Sequence, residues 1–545
     1  MARFNTRTTR PAATSPVVSE QSPSTRTYEG AAGYARTAKS ELFLLAVGNL
    51  VGTDTFYEKA DERDDRYARL VRELAVADPG WTVDFLRWLR GSGNMRTAAL
   101  VGAAEFTAER IRRQAPGYSR QAVDAVLQRA DEPGELLGYW TSRYGRNLPK
   151  PVKRGIADAV RRLYTERALL KYDTDSKGYR FGDVLNLVHP APAADKPWQG
   201  ELFRHALDRR KGRDEAIPAS LTTLRKRAEL MAVPVENRRK LLLDAWEGNP
   251  LDGAGMTWEA LAGWLQGPMD AAAWESVIPS MGLMALVRNL RNFDEAGVGD
   301  EVAERIVARL RDPEQITMSR MLPFRFWAAY KHTESLRWAH GLERALDASL
   351  ANLPALSGRT LILVDRSPSM FPGAWYSTPN RSDITLAEQA AVFGAGLALR
   401  AESPTLVEFG MRSAEVRVPK GGSMLRLVGE FGRIDGTDIP TAVEKHYDRH
   451  DRVVVVTDEQ TRPGWLPSNC ANHGGLPETR IDDLIPGDVP VYMWNMAGYR
   501  PGAMPSGSGN RHALGGLTDA AFRMIPLLEA GRHARWPWED AARGI

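Results

Sequence analysis

The sequence predicts a two-part chain: a helical repeat array over most of its first 350 residues, then a doubly wound α/β domain. Three observations predict this. From about residue 40 to 350, apolar residues recur at helical spacing, without sustained strand alternation. Beyond residue 351, short β-rich apolar runs alternate with helical stretches, the pattern of a sheet covered by helices. Charge divides at the same place. Residues 1–350 carry 52 basic and 46 acidic side chains, whereas residues 351–545 carry 20 and 22.

The chain of 545 residues is long enough for two to four domains with substantial cores, and its apolar and charged fractions are those of an ordinary globular protein. The single cysteine, Cys470, excludes an internal disulfide framework and any multi-cysteine zinc or iron–sulfur site. A lone thiol suits a reducing compartment. No apolar run approaches the ~18–20 residues of a membrane span. Residues 1–38, rich in Ser, Thr, Pro and Arg, read as a flexible, weakly basic tail. The expected location is the cytoplasm, with no membrane association.

The helical array is expected over residues 39–352. Leu42, Leu45, Ala46, Asn49 and Leu50 fall on one helical stripe, as do Val83, Leu86, Trp88 and Leu89. Val152, Ile156, Ala159, Val160 and Leu163 form a third. Breakers at Pro79-Gly80, Pro133-Gly134, Pro250 and Pro313 cut the stretch into helix-sized pieces. No strict repeat occurs, so any repetition is structural. Basic residues concentrate in two places. Residues 141–180 hold 11 basic against 4 acidic groups, and residues 201–240 hold 11 against 6. Lys153, Arg154, Arg161 and Arg162 lie opposite the third apolar stripe, with 154 and 161 on one face. Such a face attracts phosphate through counterion release, although a merely solvated helix surface has the same composition.

The α/β domain is expected over residues 356–545. Strands are predicted at residues 360–364, 405–409, 452–457 and 489–495, and helices at 386–400, 440–447 and 518–528. The first strand runs into Asp365-Arg366-Ser367-Pro368-Ser369. Ligands in an open α/β sheet sit outside the carboxyl ends of the strands. Two further hydroxyl–acid pairs occur, Thr437-Asp438 before a helix and Thr457-Asp458 after a strand. Hard oxygen donors of this kind suit Mg²⁺, with Mn²⁺ as the alternative. The same residues also suit helix caps and turns without metal. Arg366 places a cation beside the site, able to weaken the metal or pair with an acid.

These three loops resemble the metal-ion-dependent adhesion site of von Willebrand factor A domains. The resemblance implies direct metal contact by Ser367, Ser369 and Thr437, and contact by Asp365 and Asp458 directly or through water. Asp438 is a neighbour. A cation held by neutral hydroxyls keeps positive charge and can accept a partner's carboxylate or phosphate.

In the helical half, an ordered set of short motifs runs through Tyr144-Gly-Arg-Asn-Leu-Pro-Lys150, Lys171-Tyr172 and Phe181-Gly-Asp-Val-Leu-Asn-Leu-Val-His189-Pro190. It continues through Trp258-Glu259, Ile278-Pro-Ser-Met-Gly, Val287-Arg-Asn-Leu-Arg-Asn292 and Ser319-Arg-Met-Leu-Pro-Phe324. This set resembles the TROVE module of Ro ribonucleoproteins, the Ro autoantigen and its bacterial relatives, whose architecture is TROVE followed by von Willebrand factor A. The resemblance implies a closed ring of HEAT-like helical repeats plus a Rossmann-like α/β domain. It further implies a non-catalytic scaffold that binds Y-like small noncoding RNA on a basic outer surface. Single-stranded 3′ ends of misfolded or damaged RNA would enter the ring, for RNA quality control or degradation. Polynucleotide phosphorylase is the exonuclease partner the bacterial relatives suggest. No DNA specificity is expected.

The residues assigned to RNA are Lys150, Lys153, Arg154, Arg161, Lys171, Lys177, His189 and Arg288. His189 and Lys171 match RNA-contact positions of the family. Tyr172 and Tyr179 either stack bases or pack the core. Two other functions compete. A metal-dependent nuclease would use the site around Asp365 and Asp458, but paired ions need several carboxylates and this site is rich in hydroxyls. A protein–protein adhesion module would grip a partner acid through the metal. The insertion at residues 371–383, with Trp375 and Tyr376, would stand over the site as a guard, a partner contact or a plain loop.

Overall fold

The computed structural model describes residues 25–26, 32–33, 37–48, 60–213, 215–243, 248–333, 335–371, 384–419, 421–458, 481–496, 510–515, 521–529 and 536–541. It forms two compact units. One comprises residues 67–319 and 329–345, the other residues 1–66, 320–328 and 346–545.

The first unit is helical throughout its described residues. Its first part runs through α1 (Pro79–Arg90), α2 (Arg96–Arg112), α3 (Ser119–Val126) and α4 (Glu132–Tyr144). It continues through α5 (Lys150–Leu163), α6 (Glu166–Tyr172), α7 (Phe181–Val188), α8 (Gln199–Arg210) and α9 (Thr222–Met231). A later helix, α10 (Leu283–Glu295), carries Arg288. The sequence explains where several begin. Asp78 accepts the Trp81 N–H at 3.1 Å with Pro79 at the first helical position, and Thr165 caps α6 through the Ala168 N–H. In α5 the buried residues are Val152, Gly155, Ile156, Ala159 and Val160, the stripe that the periodicity marks. Helices pack on neighbours one to a few steps along the chain: α3 on α1, α2 and α5, α7 on α4, α5 and α8, and α9 on α6. This is the contact pattern of a helical repeat array.

A buried ionic network ties the early helices together. The Glu132 carboxylate, fully buried, accepts from Arg90 at 2.6 Å and Arg96 at 3.1 Å, and its second oxygen accepts the Gln128 and Arg129 N–H groups. Asp131 alongside it accepts from Arg129, Arg96 and Lys177. Burial alone would raise the Asp131 pKa, but these cations hold it down to about 2. A depressed carboxyl contributes stability above its unfolded pKa and loses it as pH falls through the folded one. Asp131→Asn should therefore flatten the fall in stability between about pH 4 and pH 2. Denaturant titrations across that range would show it, and an unchanged slope would refute the ascription.

The second unit is built on a six-stranded sheet. In chain order the strands are β1 (Leu356–Asp365), β2 (Ala401–Phe409), β3 (Ser413–Val416), β4 (Arg452–Thr457), β5 (Val491–Asn495) and β6 (Arg511–Gly515). Their spatial order is β3-β2-β1-β4-β5-β6. All neighbours are parallel except the β2–β3 edge hairpin, so the sheet is mixed. The helices α11 (Leu386–Arg400), α12 (Ile439–His446) and α13 (Ala521–Glu529) cover it. On one face Leu361, Leu363, Val407, Phe409, Val453 and Val455 pack against Ile439, Ala442 and Val443 of α12. On the other, a Cβ at Gly394 of α11 would lie 2.5 Å from the Val364 side chain, so only glycine permits that approach. Thr385 and Glu388 close a capping box at the start of α11. Arg452 of β4 and Glu529 of α13 form a two-point ion pair at 2.6 and 2.7 Å. Helix Ala38–Gly48 belongs to this unit, where Phe43 packs on Trp536 and Trp538, ring centroids 5.2 and 6.3 Å apart.

Candidate functional site

Strand β1 has β2 on one side and β4 on the other, so the chain reverses its direction of sheet growth between β1 and β4. The crevice at such a reversal is where this class of sheet binds ligands. Asp365 ends β1, and Asp458 immediately follows β4. Both are buried. One Asp365 oxygen accepts the Ser367 N–H at 2.8 Å, and the other accepts the Thr457 hydroxyl at 2.6 Å. The Ser367 and Ser369 hydroxyls lie 3.1 Å apart, both buried. Burial, and then the neighbouring Asp458 carboxylate, push the Asp365 pKa up to about 7.

Thr437 stands half-buried in the loop before α12. That loop is laced to the loop at residues 365–369 and, with it, to the end of β2. The Arg366 N–H donates to the Phe409 carbonyl at 2.8 Å, the Ile434 N–H to the Arg366 carbonyl at 2.9 Å, and the Asp438 N–H to the Gly410 carbonyl at 3.0 Å. Gly436, at φ +66°, makes the turn. Asp438 caps α12 by accepting the Thr441 N–H at 3.0 Å. Its carboxylate therefore does what the cap alternative supposes.

The donor set fits a hard divalent cation. Two buried carboxylates face one another's charge beside two buried hydroxyls, and a cation among them would offset that repulsion. Among the described residues, no three His, Cys, Asp or Glu side chains are grouped to hold a metal ion. A cation here would thus rest on Ser367, Ser369 and Thr437 as well as on Asp365 and Asp458.

The Arg366 side chain does not compete for that position. Its guanidinium is buried and donates to the Gly432 carbonyl and the Ala387 carbonyl, both at 2.6 Å. It also packs over Phe371 and Phe431, 5.0 and 5.6 Å from the ring centroids. Arg366 is thus a strut joining the loop at residues 365–369 to α11 and to the loop before Thr437. Sequence reasoning missed this role, because the two carbonyl partners lie 66 and 21 residues away. Residues 372–383 of the insertion, including Trp375 and Tyr376, lie outside the described residues.

The basic residues of the helical unit divide into paired and unpaired. Lys150, Arg154 and Arg161 are exposed on α5, Lys153 is half-buried there, and Lys171 is exposed on α6. None of these five, nor exposed Arg288 on α10, has an ion-pair partner among the described residues. Positions 150, 154 and 161 fall on one helical face, opposite the buried stripe. In contrast, Lys177 is held at 3.3 Å by both Asp131 and Glu135, and Arg162 is bound to Asp124 at 2.7 Å. Tyr179 donates to the Thr141 hydroxyl and crowds Gly134, a packing role. Tyr172 is half-buried, with Arg129 and Lys171 over its ring at 5.5 and 5.2 Å.

His189 closes α7 in the left-handed conformation at φ 50°, ψ 57°, with an exposed side chain. A residue other than glycine is uncommon in the left-handed region, so this backbone is strained. Its ring makes no hydrogen bond among the described residues, unlike a structural histidine.

Residues 255–358 match the family model of the TROVE domain. The crystal structure of the Ro (RSR) protein of Deinococcus radiodurans matches with a TM-score of 0.66, covering 91% of this chain and 100% of that one. The two sequences are 17% identical, so this likeness is one of fold. No curated protein matches. Among the described residues, no helix is long and apolar enough to cross a membrane.

Proposed function

We propose that this chain is a non-catalytic RNA-binding scaffold of the Ro type, acting in RNA quality control or degradation. The observation that carries the reading is the unpaired basic face of α5, Lys150, Arg154 and Arg161, in a unit where many other arginines are tied to acids. The TROVE match and the Ro-like fold support it. A Y-like small noncoding RNA occupies this face, with Lys153, Lys171, His189 and Arg288 as further contacts. Lys177 acts through the network that orders its loop. Single-stranded 3′ ends enter the ring that the family resemblance implies, and an exonuclease such as polynucleotide phosphorylase receives them. The α/β unit holds Mg²⁺, or Mn²⁺, on Asp365, Ser367, Ser369, Thr437 and Asp458. The buried pair Asp365 and Asp458 supports a second role for that unit, in which the cation grips an acidic group of a protein partner. The protein works in the cytoplasm.

Phosphate-dominated binding sets the expected result. Fluorescence anisotropy with a structured RNA carrying a single-stranded 3′ tail should show affinity falling steeply as salt rises. The triple variant Lys150→Glu, Arg154→Glu, Arg161→Glu should weaken binding by roughly 10–100-fold and make the salt slope shallower by roughly 2–3, the loss of three phosphate contacts. Salt-independent affinity in the native protein, or a triple variant that binds equally well, would contradict the proposal.

A further inference from the structure

The two basic stretches, residues 141–180 and 201–240, are separate in sequence but meet in the fold. Helix α9, from the second, packs on α6, from the first. Glu166 at the start of α6 accepts the Leu224 N–H of α9 at 2.9 Å, which fixes their relation. The loop at residues 252–255, Asp-Gly-Ala-Gly, lies against both helices.

Three cations converge on this loop. Arg227 of α9 donates to the Ala254 carbonyl at 3.0 Å and the Gly255 carbonyl at 2.5 Å. Among the described residues it has no carboxylate partner, and burial, then nearby Arg209, pulls its pKa down. Lys226 reaches the Asp252 carbonyl at 3.5 Å, with its ammonium 2.9 Å from where a Cβ on Gly253 would stand. The stem of Arg167, on α6, passes 3.9 Å from the equivalent point on Gly255, while the residue is exposed and unpaired among the described residues. Lys171 follows one turn later on the same face of α6.

The loop backbone adds donors. Gly253 at φ +74° and Gly255 at φ +58° are left-handed on either side of Ala254. Neither N–H has a hydrogen-bond acceptor among the described residues. The Ala254 N–H between them donates to the Leu251 carbonyl at 3.2 Å, so among the described residues the two glycine N–H groups are the donors this loop leaves open, in the alternation of left-handed and ordinary residues that favours anions. The opposing charges are Asp252 in the loop and Glu229 one turn beyond Lys226, both exposed, while Glu166 is spent on the Leu224 N–H.

We infer that Arg167, Lys171, Lys226 and the N–H groups of Gly253 and Gly255 form a second phosphate site on the helical unit, taking the phosphodiester backbone of single-stranded RNA, with Arg227 as the strut that holds the loop. The inference rests on the RNA-binding reading and extends it to a surface that none of the residues singled out in the sequence marks, apart from Lys171. A single strand suits the site because its flexible backbone can follow cations set around a small loop, without the fixed geometry of a duplex groove.

The test uses the full chain, the double variant Arg167→Glu, Lys226→Glu, and labelled oligouridylate as probe. Binding should weaken about 10-fold, and the logarithmic salt slope should become shallower by about 1.4, the loss of two single-strand phosphate contacts. Both substituted positions are exposed or edge sites, and an unchanged melting temperature would show that the fold is retained. Native affinity and slope in the double variant would overturn this site. If the α5 triple variant were weakened at the same time, the RNA-binding reading would stand without it. A native protein that binds no RNA would end both. Millimolar inorganic phosphate at constant ionic strength should displace the probe more readily from the native protein than from the double variant, and equal displacement from both would show that these residues hold no phosphate.

Discussion

Replacing Glu132 with alanine should destabilise the helical unit by roughly 3–5 kcal/mol, the range found when one partner of a buried ion pair is removed. Glu132 has no solvent exposure, and each of its oxygens is committed: one to Arg90 and Arg96, the other to the Gln128 and Arg129 N–H groups. Alanine would strand the Arg90 guanidinium, itself only 11% exposed, and leave two backbone donors without their acceptor. The effect should spread, because Arg90 and Glu132 lie on α1 and α4, and Arg96 on α2. Glu132→Gln should cost less, since the amide oxygen keeps one set of bonds while its NH₂ faces the donors of the other. Denaturant unfolding of the full chain, followed by circular dichroism at the helical band, measures both variants. A loss below about 1 kcal/mol for alanine would mean that water or neighbouring acids replace the carboxylate, contrary to this account.

The Asp365→Asn variant should melt at a higher temperature than the native protein when metal is absent, and should no longer respond to Mg²⁺. Asp365 is buried beside Asp458, and lost hydration, then the neighbouring charge, drive its pKa up to about 7. An ionised carboxylate there destabilises the folded state at neutral pH, and removing its charge should raise the melting temperature by several degrees. Asparagine removes the charge. Its oxygen can still accept the Ser367 N–H, and its NH₂ can donate to the Thr457 hydroxyl, which rotates to accept. The native protein, in contrast, should gain stability as Mg²⁺ is added, by the mass-action term of a ligand that binds only the folded state, and lose it in chelator. Melting curves with and without Mg²⁺ test both halves. Equal Mg²⁺ responses in the two proteins would remove Asp365 from the site, and a lower metal-free melting temperature for Asp365→Asn would show that its hydrogen bonds outweigh its charge.

How much of this was legible in the sequence depended on how local each signal was. Strand β4 spans residues 452–457 as expected, because four consecutive valines suit a strand buried on both faces. Helix α11 spans residues 386–400 as expected, and the capping box of Thr385 and Glu388 fixes its start locally. Strand β1 begins earlier than the expected 360, since its first residues include Ser, Gly and Arg rather than apolar side chains. The edge strands β3 and β6 were not foreseen. They are short, of mixed polarity, and owe their shape to a neighbour already in place.

The sequence by itself determined the central elements and the chemistry at their ends: the α5 stripe, the alternation of strand and helix, and the hydroxyls and carboxylates of the loops at Asp365, Thr437 and Asp458. These follow from periodicity and spacing within about 15 residues, where side chains on one element share a face. Only the tertiary structure decided how each charge is used. Lys177 is tied to acids more than 40 residues away, whereas Lys171 is not. Arg366 turns to distant carbonyls instead of to the loop at residues 365–369 that it interrupts, and Asp438 caps a helix. The two basic stretches become one surface at the loop of Gly253 and Gly255. A charge is either spent within the fold or left for a ligand according to which partners folding brings within hydrogen-bond reach, and that depends on contacts between distant segments rather than on local pattern.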